Sequence, residues 1–166
     1  MKHYAIAAML VGALALSACD KSSRFGDDAA GGGAAGLAGS PSDPHSAAYF
    51  QQTIGDRVLF AVDQSTLGAE AQAVLIQQAT WLMDNPEFSA IIEGHADEQG
   101  TREYNLALGA RRASAVQGFL IDRGVAPNRL RTVSYGKERP LAICSDETCY
   151  AQNRRAVTVL TAGAGA

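Results

Sequence analysis

An α/β sandwich, with helices packed on one face of a small mixed four-stranded sheet, is the fold this sequence predicts for residues 47–160. Three observations predict it. Short apolar runs and amphipathic stretches succeed one another in the order strand, helix, strand, helix, strand, strand. Glycine, proline and asparagine stand at the joints between them. No internal repeat interrupts that order.

Each element has its own signal. A short helical turn at 48–53 leads into Val58-Leu59-Phe60-Ala61-Val62, an apolar run bounded by charge and read as a buried strand. In residues 68–85, Ala71, Val74, Leu75 and Leu82 recur at helical spacing and Asn85-Pro86 supplies the stop, giving a helix of about five turns. Residues 88–93 form a second strand ending at Gly94. Residues 103–123 form a second amphipathic helix, closed by Gly124 with Pro127 shortly after. A third strand at 132–135 stops at Gly136, and a fourth occupies 156–160. Residues 161–166 are small and predicted to be a loose tail.

The domain is preceded by segments that cannot fold with it. Lys2 and His3 stand before an apolar run at 5–16, too short to span a bilayer, so residues 1–18 read as a secretory signal. The run ends in Leu16-Ser17-Ala18-Cys19, which resembles the lipobox of bacterial lipoproteins and makes Cys19 the expected lipidation site. Several acyl chains at ~0.8 kcal/mol per methylene would hold the chain effectively permanently. Residues 19–46 are dominated by Gly, Ala, Ser, Asp and Pro, including Gly31-Gly32-Gly33, and read as a flexible tether. Such a linker spans roughly 30 Å on average and up to about 90 Å when drawn out.

Composition narrows the partners. Over 166 residues the formal net charge is −3, which offers no basic stripe for nucleic-acid phosphates. Nucleic acid is therefore not an expected partner.

The chemistry concentrates in Gly94-His95-Ala96-Asp97-Glu98-Gln99-Gly100-Thr101-Arg102-Glu103-Tyr104-Asn105, followed by Leu108-Gly109-Ala110-Arg111-Arg112-Ala113 and Val116. These motifs, with Ser134 to Pro140 and Asn153 to Val157, resemble the OmpA-like domain family and, within it, the peptidoglycan-associated lipoproteins of the Tol-Pal system. The resemblance covers residues 55–160 and implies a βαβαββ domain. It implies that Asp97 and Arg112 grip the free end of meso-diaminopimelate in the peptidoglycan stem peptide. That end carries an ammonium and a carboxylate, so a carboxylate and a guanidinium fork suit it.

Taken singly, Asp97 reads as a turn or capping residue and Arg112 as a solvated helix arginine. Helical geometry separates the two arginines. At ~100° per residue Arg112 falls on the apolar side with Asn105, Val116 and Phe119, whereas Arg111 points away. A charge on the core side needs a partner. The resemblance also places Phe60, Val62 and Asp63 at the pocket rim, with Val62 where an aromatic often stands, and gives Asn105 and Leu108 contacts with the stem peptide. Leu108 reads equally well as core.

The same resemblance implies that the chain is an outer-membrane lipoprotein with its domain in the periplasm, linking that membrane to the cell wall, with TolB and TolA as protein partners and TolB competing with peptidoglycan. Asp20 pulls the other way, because in enteric bacteria an aspartate after the lipidated cysteine retains lipoproteins in the inner membrane. No cofactor is expected beyond the covalent lipid, and the ligand count around His95, Asp97 and Glu98 does not support a metal site.

Two rivals remain in the sequence. One is a cell-wall hydrolase using Asp97 and Glu98 as paired carboxylates, although neighbours on an extended chain point in opposite directions. The other is a different OmpA-like protein. A porin type needs a membrane β-barrel, for which residues before Gly55 leave no room, and a flagellar-stator type needs an uncleaved spanning helix. Finally, Cys144 and Cys149 flank a short polar segment, and in an oxidising compartment they are expected to be bridged, which for so small a loop contributes about 2 kcal/mol.

Overall fold

A computed structural model describes residues 39–162. The signal at 1–18, Cys19 and Asp20, most of the tether and tail residues 163–166 lie outside the described residues. The described chain opens with one α-helical turn, α1 (Ala47–Tyr49), which runs into a π-helical segment, Phe50–Gly55. Then follow β1 (Arg57–Leu59), α2 (Ala69–Asp84), β2 (Phe88–His95), α3 (Arg102–Asp122), a 3-10 turn at Pro127–Arg129, β3 (Leu130–Gly136), α4 (Glu147–Asn153) and β4 (Arg155–Ala162).

The four strands form one sheet in the order β1-β4-β2-β3. β4 lies antiparallel to both β1 and β2, whereas β2 and β3 run parallel, so the sheet is mixed. The parallel pair needs a crossover, and α3 supplies it. One core cluster joins Leu75, Ala79 and Leu82 of α2, Val116 and Leu120 of α3, and Val58, Ile92, Ala156 and Leu160 of the sheet, so both long helices cover the same face.

Two glycines set how closely α3 approaches the sheet. A Cβ on Gly94 would collide with the Gly109 carbonyl, and one on Gly109 would collide with Ser134 Oγ and the Gly94 carbonyl. The helix therefore rests on the end of β2 at backbone distance. Ser134 Oγ donates to the Leu106 carbonyl at 2.6 Å and pins β3 to the same helix.

Several expectations shift in detail. The first strand ends at Leu59 instead of Val62. Phe60 still donates its N–H to the Arg154 carbonyl, but Asp63 has φ 54° and the chain turns away from the sheet there. Ordered packing begins before residue 47, because Trp81 Nε1 donates to the Pro44 carbonyl at 2.7 Å and His45 Nδ1 lies 2.6 Å from Asn85 Oδ1. Helix α4 has no counterpart in the sequence reading. It is seven residues long and mostly polar, capped by Asp146 Oδ1 accepting from Cys149 N at 3.2 Å, and it carries no apolar periodicity to announce it.

Candidate functional site

Three segments meet at the end of the sheet where β1 and β2 finish: the turn after β1, the loop from Ala96 to Thr101, and the first turns of α3. Between them lies a cleft of about 270 Å³. Val62, Asp63, Asp97, Asn105 and Leu108 line it, and these are five of the seven contact residues singled out above. Gln99, Gly100 and Tyr104 complete the lining.

The loop is held in shape by its own bonds. Asp97 Oδ1 accepts from Gln99 N at 3.2 Å, and Asn105 Nδ2 donates to the Gln99 carbonyl at 2.7 Å. Lys137 Nζ donates to the carbonyls of Gly100 at 2.7 Å and Glu98 at 3.2 Å. Thr101 then caps α3 by accepting from Tyr104 N at 3.2 Å. Tyr104, Asn105 and Leu108 follow at helical spacing and share one side of the helix.

Arg112 and Phe60 do not line the cleft. Arg112 is fully buried beneath it. Its Nε donates to the Gln64 carbonyl at 2.8 Å, Nη1 to the His95 carbonyl at 2.8 Å and Nη2 to the Ala61 carbonyl at 3.2 Å. Its guanidinium lies 5.2 Å from the centre of the buried Phe60 ring. Three of its five N–H donors are thus satisfied by backbone. Burial pulls its pKa down to about 10, with repulsion from Arg154 adding and attraction from Asp97 opposing, so it remains a cation at neutral pH. Arg111 is exposed, as the helix phase requires, and its guanidinium sits 5.9 Å from the centre of the Tyr104 ring.

The ionic partner of Asp97 is Arg154, which the sequence reading did not single out. Arg154 Nη1 reaches Asp97 Oδ2 at 3.2 Å with both side chains nearly buried. Arg154 Nη1 also meets Glu147 Oε2 at 3.4 Å, its Nη2 donates to Glu147 Oε1, and its Nε donates to the Phe60 carbonyl at 3.2 Å. Burial opposes its charge, but its hydrogen bonds to Glu147 and Asp97 outweigh that and raise its pKa. The only sequence signal for this residue was its place in Asn153 to Val157; the direction of a side chain at a helix-to-strand junction is not carried by periodicity.

Glu98 points away from the cleft. Its Oε1 accepts from Ser145 Oγ at 3.0 Å and from Tyr150 OH at 2.9 Å. Cys144 and Cys149 form a disulfide in that neighbouring segment, with Cα atoms 5.8 Å apart. Asp97 and Glu98 therefore face different spaces and do not form a pair across a common bond.

The model of the OmpA family matches residues 59–154. The peptidoglycan-associated lipoprotein of Rhizobium meliloti is 53% identical over 156 residues, covering 94% of this chain and 86% of that protein. The protein of the same name from Brucella melitensis is 51% identical over 160 residues, covering 96% and 93%. Among solved structures, the crystal structure of the peptidoglycan-associated lipoprotein from Burkholderia pseudomallei superposes with a TM-score of 0.66 at 40% identity, covering 72% of this chain and all of that one. With a family model spanning more than half its length and relatives half identical across nearly all of it, this chain belongs to the OmpA family and, within it, to the peptidoglycan-associated lipoproteins.

Proposed function

We propose that the cleft binds the free end of meso-diaminopimelate in the peptidoglycan stem peptide, without catalysis. One observation carries this reading: Asp63 and Asp97 face a single cleft beside Asn105, while the charged Arg112 is buried behind it. A ligand end bearing both an ammonium and a carboxylate matches that arrangement. The two carboxylates receive the ammonium, and Arg112, with one N–H on each terminal nitrogen not used by a carbonyl, supplies positive potential for the carboxylate. Relatives named for association with peptidoglycan support the same ligand class.

In this reading the domain hangs from a lipid on Cys19 at the outer membrane, faces the periplasm and holds that membrane to the wall, with TolB and TolA as protein partners. A hydrolase is not favoured, because Glu98 is bonded to Ser145 and Tyr150 outside the cleft.

Cosedimentation of the mature chain with purified peptidoglycan is the test. Binding to diaminopimelate-type wall without release of soluble fragments is expected, and it should fall sharply with peptidoglycan carrying lysine in that position. Undiminished binding to the lysine type removes the role given to the ligand's carboxylate. Membrane fractionation of the chain and of an Asp20 substitution tests the outer-membrane assignment, and recovery of both in the inner membrane refutes it.

A further inference from the structure

Asp63 already has a donor. The Tyr104 hydroxyl donates to Asp63 Oδ1, across the cleft from α3 to the turn after β1. Both residues line the cleft, and neither is otherwise needed by the fold: Tyr104 is 44% exposed, outside the core. The two partners are held in place by separate means. Asp63 is the one non-glycine residue among those described with positive φ, 54°, and a side chain as short as aspartate's follows its backbone closely. Tyr104 sits in the first turn of α3 with its N–H on the Thr101 cap, and the Arg111 guanidinium lies over its ring.

We infer that Tyr104 is an affinity-setting residue of the cleft, whose hydroxyl holds the position on Asp63 that a ligand's cationic group must take, so that such a ligand binds in exchange for the Tyr104–Asp63 bond. The inference rests on the proposed function, since it assumes a ligand carrying an ammonium. A neutral hydroxyl bonded to a carboxylate is displaced readily by an ammonium, which brings a full charge to the same oxygen. A ligand without a cation has nothing to offer in exchange, so it meets an Asp63 that is already bonded. The hydroxyl therefore lowers the affinity of a ligand that must take Asp63 and leaves unchanged that of a ligand that does not. Arg111 contributes by packing over the ring, which favours the position that reaches Asp63.

The experiment is titration calorimetry of the mature lipidated chain in detergent, comparing the parent with Tyr104→Phe. Two synthetic probes are used: the tripeptide L-Ala-γ-D-Glu-meso-diaminopimelate, and the same peptide with 2-aminopimelate as third residue, which keeps the terminal carboxylate and lacks its ammonium. Phenylalanine preserves the ring and its contact with Arg111 while removing the hydroxyl. Tyr104→Phe should bind the diaminopimelate peptide about three- to tenfold more tightly than the parent. Its affinity for the 2-aminopimelate peptide should be unchanged. Parent binding together with unaltered or weaker binding by Tyr104→Phe overturns this inference alone, as does equal strengthening for both peptides. Absence of binding to the diaminopimelate peptide by parent and variant alike overturns the proposed function and this inference with it.

Discussion

A guanidinium with no exposed surface survives in Arg112 because three carbonyls from two segments, Ala61 and Gln64 in the turn after β1 and His95 at the end of β2, converge on it. Arg112→Ala would remove all three bonds and leave a cavity where the guanidinium packs, and a stability loss of about 3 kcal/mol or more is expected in urea denaturation. Arg111→Ala, one position away and exposed, should change stability by no more than about 0.5 kcal/mol in the same assay. A larger loss for Arg111 than for Arg112 would invert the helix phase on which the site is built. His95 makes a second residue-scale prediction. It is 1% exposed, neither ring nitrogen has a hydrogen-bond partner among the described residues, and the 3.5 Å approach of Nε2 to Glu93 lacks hydrogen-bond geometry. Burial, with repulsion from Arg155 and Arg139, lowers its pKa from 6.5 to about 4. Between those values the unfolded chain holds more protons than the folded one. The stability this histidine contributes is therefore complete above pH 6.5 and falls by up to about 3 kcal/mol as the pH drops to 4. Denaturation midpoints across that window should slope for the parent and flatten for His95→Gln. At this scale the sequence was legible where periodicity rules: it separated Arg112 from Arg111 and put Asn105 and Leu108 beside the cleft. It was silent where a loop or junction decides direction, as with Arg154 and with the hydroxyl of Tyr104.

Among the elements, α4 cannot stand alone, since seven residues are far below the length at which a helix holds itself. Its supports are the Asp146 cap, the Cys144–Cys149 disulfide around its first turn, and the Glu147–Arg154 pair at its inner side. Those supports lead directly to the cleft, because Arg154 holds Asp97 while Ser145 and Tyr150 hold Glu98. Replacing both cysteines with serine should cost about 2 kcal/mol of stability, speed amide exchange in residues 97–100 and weaken peptidoglycan binding severalfold. If binding and exchange in that loop are unaltered, the bridge serves α4 only. The contact of α3 with β2 is less forgiving. Gly109→Ala must push the helix off Gly94 and Ser134, and a loss of roughly 1–3 kcal/mol in thermal or urea unfolding is expected. The order and type of the six major elements could be read from apolar spacing and from Gly94, Gly124 and Gly136. The early end of β1 could not, because an apolar run does not reveal that Asp63 takes positive φ, and α4 could not, because a short polar helix held by tertiary bonds has no pattern of its own.

For the molecule as a whole, the segment ahead of the domain is clasped by Trp81 and Asn85 near the end of α2, whereas the cleft lies beyond the end of β2. Phe88 starts β2 beside Asn85, donating its N–H to that carbonyl, and the strand finishes at His95, two residues short of Asp97. Trp81→Phe removes the bond to the Pro44 carbonyl without touching the cleft. It should lower stability by roughly 1 kcal/mol and leave peptidoglycan affinity as it was, and a change in affinity would show that the two ends communicate. Eight strand residues at about 3.3 Å each separate those ends by about 26 Å. Under the proposed function, with the wall held in the cleft and the chain anchored ahead of Pro44, a pull would enter at one pole of the domain and leave at the other, along the strands. Tension along a strand loads the rungs of its ladder together, in shear, whereas a pull across the sheet would open them one at a time. A molecule attached in this way behaves as a tie bar, and the sheet between its two attachments is the part oriented to carry the load.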